Sequence, residues 1–389
     1  MLSININFKN FLKIKKNAQV KKVFESFIKD SENLNNNQIL LSLTKKYKYS
    51  FDIKKIKNLK KFEVFRIFGM GGSTLGSEAI YNFLKKKIRK KFLFIDNINN
   101  KKIYNSKKKI FNLIISKSGN TLETISNFNS HKINKDCLFI TERKQNYLNL
   151  LAKKLKSEVV EHNNFIGGRY SVLSETGMIP AYLMGLKPDK FKKFENLISS
   201  KKFMSCIVEN VSSILFFHNQ KKNNSIILNY DEQANSLFKW YQQLVAESLG
   251  KSSKGILPII SNLPKDNHSV MQHYLDGVKN NFYTFFYVKE KNIGKIDKKL
   301  ILNSHKFLKD KDLSKIMYAQ FLATKKIFLK KKLPFRCFVI KERNEETLGE
   351  LFTFFILETI LLGKVLKINP YNQPAVEQIK RETYKILKT

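Results

Sequence analysis

Ser116, Ser118 and Thr121 place three hydroxyls within six residues, with Gly119 among them. The stretch SKSGNTLET follows the apolar run FNLII and leads into a helical pattern. Hydroxyls and free amides at a helix N-terminus take several hydrogen bonds from a phosphate. Ordinary helix capping needs only one hydroxyl, so three favour an anion cradle. A second turn, GMGGSTLGSEAI from Gly69, contains Gly72 and Ser73 and also runs from a strand pattern into a helix. Its spacing matches neither the GxxxxGK[ST] nor the GxGxxG phosphate turn, and a plain tight turn explains it as well as a ligand site does. IGGRYSVLSETG sets Arg169 behind Gly167 and Gly168. That is either a surface arginine in a loop or a fixed guanidinium held where an oxyanion develops.

Three further stretches carry groups of types that could move protons. In WYQQLVAESLGK, Gln243 and Glu247 are four apart and share one helix face. Glu247 falls at the helix C-terminus, where the macrodipole disfavours an anion. It is either a solvated carboxylate or a base with a raised pKa. DNHSVMQHYLDG has Asp266 opening a helix and His268 in its first turn. His273 lies five residues on, on another face, which argues against a metal pair. A lone histidine there reads as structural unless a partner is found. YNQPAVEQIKRETYKIL carries Gln373 before Pro374, then Lys380 in a helix that starts near the proline. Among 72 Lys and Arg residues, Lys380 by itself says nothing.

Positioning these groups takes a framework. VFRIF, KFLFI, FNLII, CLFIT and EVVEH, between residues 64 and 162, alternate with helical stretches at 77–84, 121–128 and 147–155. A second series, SIILNY, GILPII, FYTFFYV and FRCFVI, has long helices at 232–248, 313–329 and 345–362. Near-continuous apolar runs are what parallel strands covered on both faces require. The reading is α/β: two α/β/α sandwiches in series with mostly parallel sheets, bridged by 175–185 and the polar stretch 187–201, after a helical N-terminal segment. LFTFFILETILLG, interrupted by Thr353, Glu358 and Thr359, is too short to span a bilayer and reads as a buried helix. Three scattered cysteines fit a reducing compartment and no thiolate metal site. The formal net charge of +40 comes from lysines spread over the whole length. That pattern reads as a solvated surface that attracts anions, not as a specific nucleic-acid site. With no leader or anchor pattern, the expectation is a soluble cytoplasmic protein without a membrane partner.

Taken in order from Gly69 to Lys380, these six stretches resemble the phosphoglucose isomerase family. GMGGSTLG resembles that family's GIGGSxLG, SKSGNTLET its phosphate loop and GGRYSVLSETG its GGR[FY]S segment. QQLVAESLGK and DNHSVMQHYLDG resemble the stretches with the catalytic glutamate and histidine, and YNQPAVEQIK resembles the C-terminal [FY][DN]QxxVExxK signature. The resemblance implies two sugar-isomerase (SIS) sandwiches, a homodimer, and a catalytic histidine that reaches the site from the neighbouring subunit. It divides the chain into a helical segment (1–50), a first sandwich with the phosphate loop (51–200), a second with Glu247 and His268 (201–370), and a terminal helix (371–389) carrying Lys380.

Carried over, Glu247 becomes the base that moves a proton between C2 and C1 through a cis-enediol, and Arg169 the clamp on its charge. His268 and Lys380 open the sugar ring. Ser116, Lys117, Ser118 and Thr121 hold the phosphate, while Gly72, Ser73, Gly168, Gln243 and Gln373 line the sugar. The implied activity interconverts glucose 6-phosphate and fructose 6-phosphate, without cofactor or metal. The loop reads Ser-Gly-Asn-Thr where many members have Thr-Phe-Thr-Thr, so it also resembles isomerases acting on mannose 6-phosphate as well. A non-catalytic sugar-phosphate-binding regulator is the alternative of a different class, but a pure binder has no need of the full proton relay.

Overall fold

The computed structural model describes residues 3–12, 14, 16–32, 37–98, 108–131, 136–290 and 294–389. The first sheet is built from β2 (Val64–Phe68), β3 (Lys91–Ile95), β4 (Ile110–Ile115), β5 (Cys137–Thr141) and β6 (Glu158–Glu161), following an N-terminal strand β1 (Ile6–Lys9) that belongs elsewhere. Its order is β3-β2-β4-β5-β6, with every pair parallel. All five residues of β2 are buried, and so are all five of β5, as a sheet covered on both faces demands. Helices α1 (Leu75–Phe83), α2 (Leu122–Ser130) and α3 (Tyr147–Leu155) connect these strands.

The second sheet holds β7 (Asn224–Asn229), β8 (Leu257–Asn262), β9 (Asn281–Val288) and β10 (Phe335–Ile340), again parallel, in the order β1-β10-β9-β7-β8. Its helices are α4 (Lys201–Asn219), α5 (Asn235–Leu249), α6 (Leu313–Lys330) and α7 (Glu345–Val365), and α8 (Pro374–Ile386) follows. Helix α7 is buried along nearly its whole length. Three of its buried polar residues are satisfied there. Thr353 and Thr359 donate back to the carbonyls of Gly349 and Phe355, each at 2.8 Å, while Glu358 pairs with Arg336 of β10 and accepts from Tyr241 at 2.7 Å.

Helix α1 of the first half lies along α5 of the second, with Asn82 donating to Ser236 across the junction at 2.7 Å. The main hydrophobic cluster is continuous through both halves. No described helix is long and apolar enough to cross a membrane.

Three features depart from the sequence expectation. The segment before residue 50 is not all helical: Ile6–Lys9 forms a strand antiparallel to β10, with Ile6 opposite Ile340. Phe8 packs on Phe338 at 4.4 Å between ring centroids, which covers the sheet's outer edge. Lys201–Asn219 is a 19-residue helix where the sequence pattern offers only the end of a polar bridge. Asp266 does not open a helix. Its carboxylate turns back to accept from the Asn262 amide (2.7 Å) and Ser261 hydroxyl (3.0 Å), so Lys265–His268 is a single 3₁₀ turn and the helix starts at Met271.

Candidate active site

In a parallel sheet the crevice for a ligand opens at the carboxyl ends of two neighbouring strands whose connections leave in opposite directions. In the first sheet that point lies between β2 and β4. The two strands deliver Gly69–Ser73 and Ser116–Thr121 side by side. A Cβ on Gly69 would sit 2.9 Å from the Ile115 carbonyl oxygen.

The hydroxyl loop is drawn into a tight bowl. Ser116 Oγ and Thr121 Oγ1 are 2.8 Å apart, and the Gly119 amide donates to Ser116 Oγ at 3.2 Å. Gly119 has φ +67° and lies against Asn146, whose Oδ1 would be 2.0 Å from any Cβ there. Both facts exclude a side chain. Thr121 precedes α2 without capping it, so the first amides of that helix are open beside the exposed Ser118. The Lys117 side chain turns away from the hydroxyls, donating to the Asn164 carbonyl at 2.7 Å with Glu142 3.7 Å away. Burial lowers its pKa, against the pull of Glu142. Beneath the loop, burial pushes the His162 imidazole down to about 4.

The second turn meets the arginine loop. Gly72 approaches Gly168 so closely that a Cβ would lie 2.1 Å from the Gly168 carbonyl carbon. Gly71 abuts the Gln243 amide in the same way, at 2.7 Å. Arg169, 2% exposed, then uses its whole guanidinium. Nε donates to Ser248 Oγ at 2.9 Å. Nη1 donates to Glu247 Oε2 at 3.2 Å and to Gln373 Oε1 at 2.7 Å. Nη2 donates to the carbonyls of Pro370 (2.7 Å) and Asn372 (3.1 Å). Tyr170 supports this from below, its hydroxyl 2.9 Å from Ser248 Oγ and 3.0 Å from the Pro370 carbonyl. Glu247 is partly open to a cavity of about 690 Å³ that Lys251, Lys367, Asn372 and Gln373 also line.

The chain therefore brings together Gly72, Gly168, Arg169, Gln243, Glu247 and Gln373, next to the loop of Ser116, Ser118 and Thr121. Ser73 stays in the glycine turn, its amide bonded to the Met70 carbonyl. Two residues make no hydrogen bond to these groups. His268 is exposed at the end of its 3₁₀ turn. Lys380 is exposed on α8, where it donates to Glu377 at 2.7 Å. Sequence reasoning passed over Tyr170, Ser248 and Asn146, although the first two directly follow Arg169 and Glu247, and Asn146 precedes an apolar helical run as a capping residue does.

The corresponding crevice in the second sheet, between β7 and β9, is filled by its own charges. Arg343 joins Asp231 and Glu290 there, and Lys86 of the first half joins Glu290. The first crevice instead carries the hydroxyls of Ser116, Ser118 and Thr121.

Two parallel sheets in series, with a hydroxyl loop at one switch point and an arginine–carboxylate pair beside it, define a protein of the sugar-isomerase sandwich class. The phosphoglucose isomerase family model matches residues 35–260, and the chain belongs to that family. It is 30% identical over 371 residues to the glucose-6-phosphate isomerase of Methanocaldococcus jannaschii, covering 87% of this chain and 88% of that one. It is 31% identical over 354 residues to the glucose-6-phosphate isomerase of Mycoplasmopsis pulmonis, covering 84% and 83%. In fold it is similar to a hypothetical protein from Thermus thermophilus, with a TM-score of 0.81, 20% identity and 95% of both chains covered. It is also similar to a glucose-6-phosphate isomerase from Chlamydia trachomatis, with a TM-score of 0.64, 16% identity, and 95% of this chain and 78% of that one covered.

Proposed function

We propose that this protein interconverts D-glucose 6-phosphate and D-fructose 6-phosphate. The observation that carries the reading is Glu247 Oε2 held 3.2 Å from Arg169 Nη1, beside a loop of hydroxyls and open helix amides. Aldose–ketose isomerisation needs a base that lifts the C2 proton and returns it to C1, and a fixed positive charge for the enediolate formed between. Glu247 serves as that base. Arg169 supplies the charge through Nη1, the donor whose partners Glu247 and Gln373 line the cavity. Ser116, Ser118, Thr121 and the first amides of α2 take the phosphate. Lys117 contributes its backbone and a nearby charge, since its ammonium is engaged by Asn164. Gly72, Ser73, Gly168, Gln243 and Gln373 line the sugar.

Ring opening belongs to Lys380 and to His268 of a second copy of the chain. The exposure of His268 on its turn leaves it available to a neighbour's pocket. In this reading the working form is a homodimer acting in the cytoplasm on soluble sugar phosphates.

A coupled assay on purified protein, run with glucose 6-phosphate and with mannose 6-phosphate, tests the reading. Turnover of glucose 6-phosphate with solvent deuterium appearing in the sugar is the expected result. No turnover of either aldose refutes it, and equal rates on both replace it with the dual-specificity reading that the Ser-Gly-Asn-Thr loop suggests.

A further inference from the structure

We propose that Tyr384 is a positioning residue for Lys380: its hydroxyl donates to the Asn120 carbonyl at 3.0 Å and ties the far end of α8 to the phosphate loop. The inference rests on the isomerase reading, in which Lys380 acts on the sugar ring.

Helix α8 has no buried residue along its 13-residue length. Its place is therefore set by its ends. The near end is fastened by Arg169, which binds the carbonyls of Pro370 and Asn372 and the side chain of Gln373. The far end is fastened by Tyr384. Gln373, Glu377, Lys380 and Tyr384 fall at spacings of four, three and four, which puts them on one stripe of the helix. Since both ends of that stripe touch the site, Arg169 at one and the hydroxyl loop at the other, the stripe faces the crevice. The helix bridges about 16 Å from Gln373 to Tyr384, with Lys380 about 6 Å along the axis from the Tyr384 end.

Asn120 is well placed to be the anchor. Its Oδ1 accepts from the Tyr147 amide at 2.9 Å, and its own amide donates to Ser118 Oγ at 3.3 Å. The residue Tyr384 grips is thus itself bonded to a proposed phosphate ligand on one side and to α3 on the other. A phosphate that settles the loop settles the anchor, and through Tyr384 it settles the helix that carries Lys380. Without this bond, α8 pivots at residues 370–373 and Lys380 swings with it.

The test is a cycle of four proteins: the wild type, Tyr384→Phe, Lys380→Ala and the double variant. Each is assayed for kcat and KM with glucose 6-phosphate and for hydrogen exchange across residues 374–386. Tyr384→Phe keeps the ring and deletes one neutral hydrogen bond, so kcat is expected to fall about three- to tenfold with KM changed less than about twofold. In the Lys380→Ala background the same change is expected to cost less than about 1.5-fold, because there is no ammonium left to misplace. Helix exchange should quicken in both backgrounds. A Tyr384→Phe enzyme with wild-type kcat overturns the proposal even if exchange quickens. An equal kcat penalty in both backgrounds also overturns it, since that is the mark of a general structural effect. A wild type inactive on the sugar phosphate instead removes the isomerase reading on which this one stands.

Discussion

Replacing Arg169 by lysine keeps the charge and removes the shape. The guanidinium makes five hydrogen bonds, to Ser248, Glu247, Gln373 and the carbonyls of Pro370 and Asn372. An ammonium has three donors diverging from one atom, so at least two acceptors lose their arginine partner. A hydrogen bond to a charged group contributes about 1.5–3 kcal/mol, which sets a gross loss of about 3–6 kcal/mol. Tyr170 still serves both Ser248 and the Pro370 carbonyl, and that moves the expected cost toward the lower end. A loss of about 3 kcal/mol corresponds to roughly a hundredfold. Turnover of Arg169→Lys is therefore expected to fall about 10²-fold or more, and exchange of amides in 370–386 to accelerate, since the same donors hold the start of α8. Steady-state kinetics beside hydrogen exchange resolves both effects. An Arg169→Lys enzyme within tenfold of wild-type kcat, with unchanged exchange at 370–386, would refute the clamp.

Three other substitutions test separate parts of the site. Glu247→Gln, of nearly equal size, should lower turnover at least ~10²-fold and abolish deuterium uptake at C1 while sugar-phosphate binding by calorimetry persists; near-normal activity removes Glu247 from the base role. Gly119→Ala forces a left-handed backbone, at about 1–2 kcal/mol, and drives a methyl into Asn146. It should raise KM and the inhibition constant of inorganic phosphate about tenfold or more while the circular dichroism stays native. Burial holds the His162 pKa at about 4, below the ordinary 6.5, so between these values the unfolded chain binds the proton that the folded one refuses. Stability should therefore fall as pH drops from 6.5 to 4, by up to about 3 kcal/mol more in the wild type than in His162→Gln. Urea midpoints with the same pH slope in both proteins would count against that assignment.

How much of this was legible in the sequence depended on how local its cause is. The strands of the first sheet stand out because parallel strands buried on both faces need unbroken apolar runs, and VFRIF and CLFIT are such runs. The hydroxyl loop shows itself because all its chemistry lies within six residues. Thr353 and Thr359 are satisfied within α7 and Glu358 by Arg336, so these polar residues did not hide it. By contrast, Ile6–Lys9 is four residues among polar neighbours, and it becomes a strand only through β10. Helix α4 blurs its own periodicity. Asn210 is buried against Arg336, and Ser212 and Ser213 face inward by bonding back to the carbonyls of Val208 and Glu209. Arg169 could not be told from a surface residue, because what buries it is a turn some two hundred residues later.

The pairing of β1 with β10 also bears on how the polypeptide is born. The first sheet is complete once residue 161 has left the ribosome, whereas the outermost seam of the second joins Ile6 to Ile340, far later in synthesis. Closing so long a loop adds little entropic cost, because that cost grows only with the logarithm of its length. Timing is the harder constraint. Until β10 is made, Ile6 and Phe8 wait without their mate, and an unfinished sheet offers its bare margin to any passing strand. This topology thus leaves that seam open until β10 has emerged.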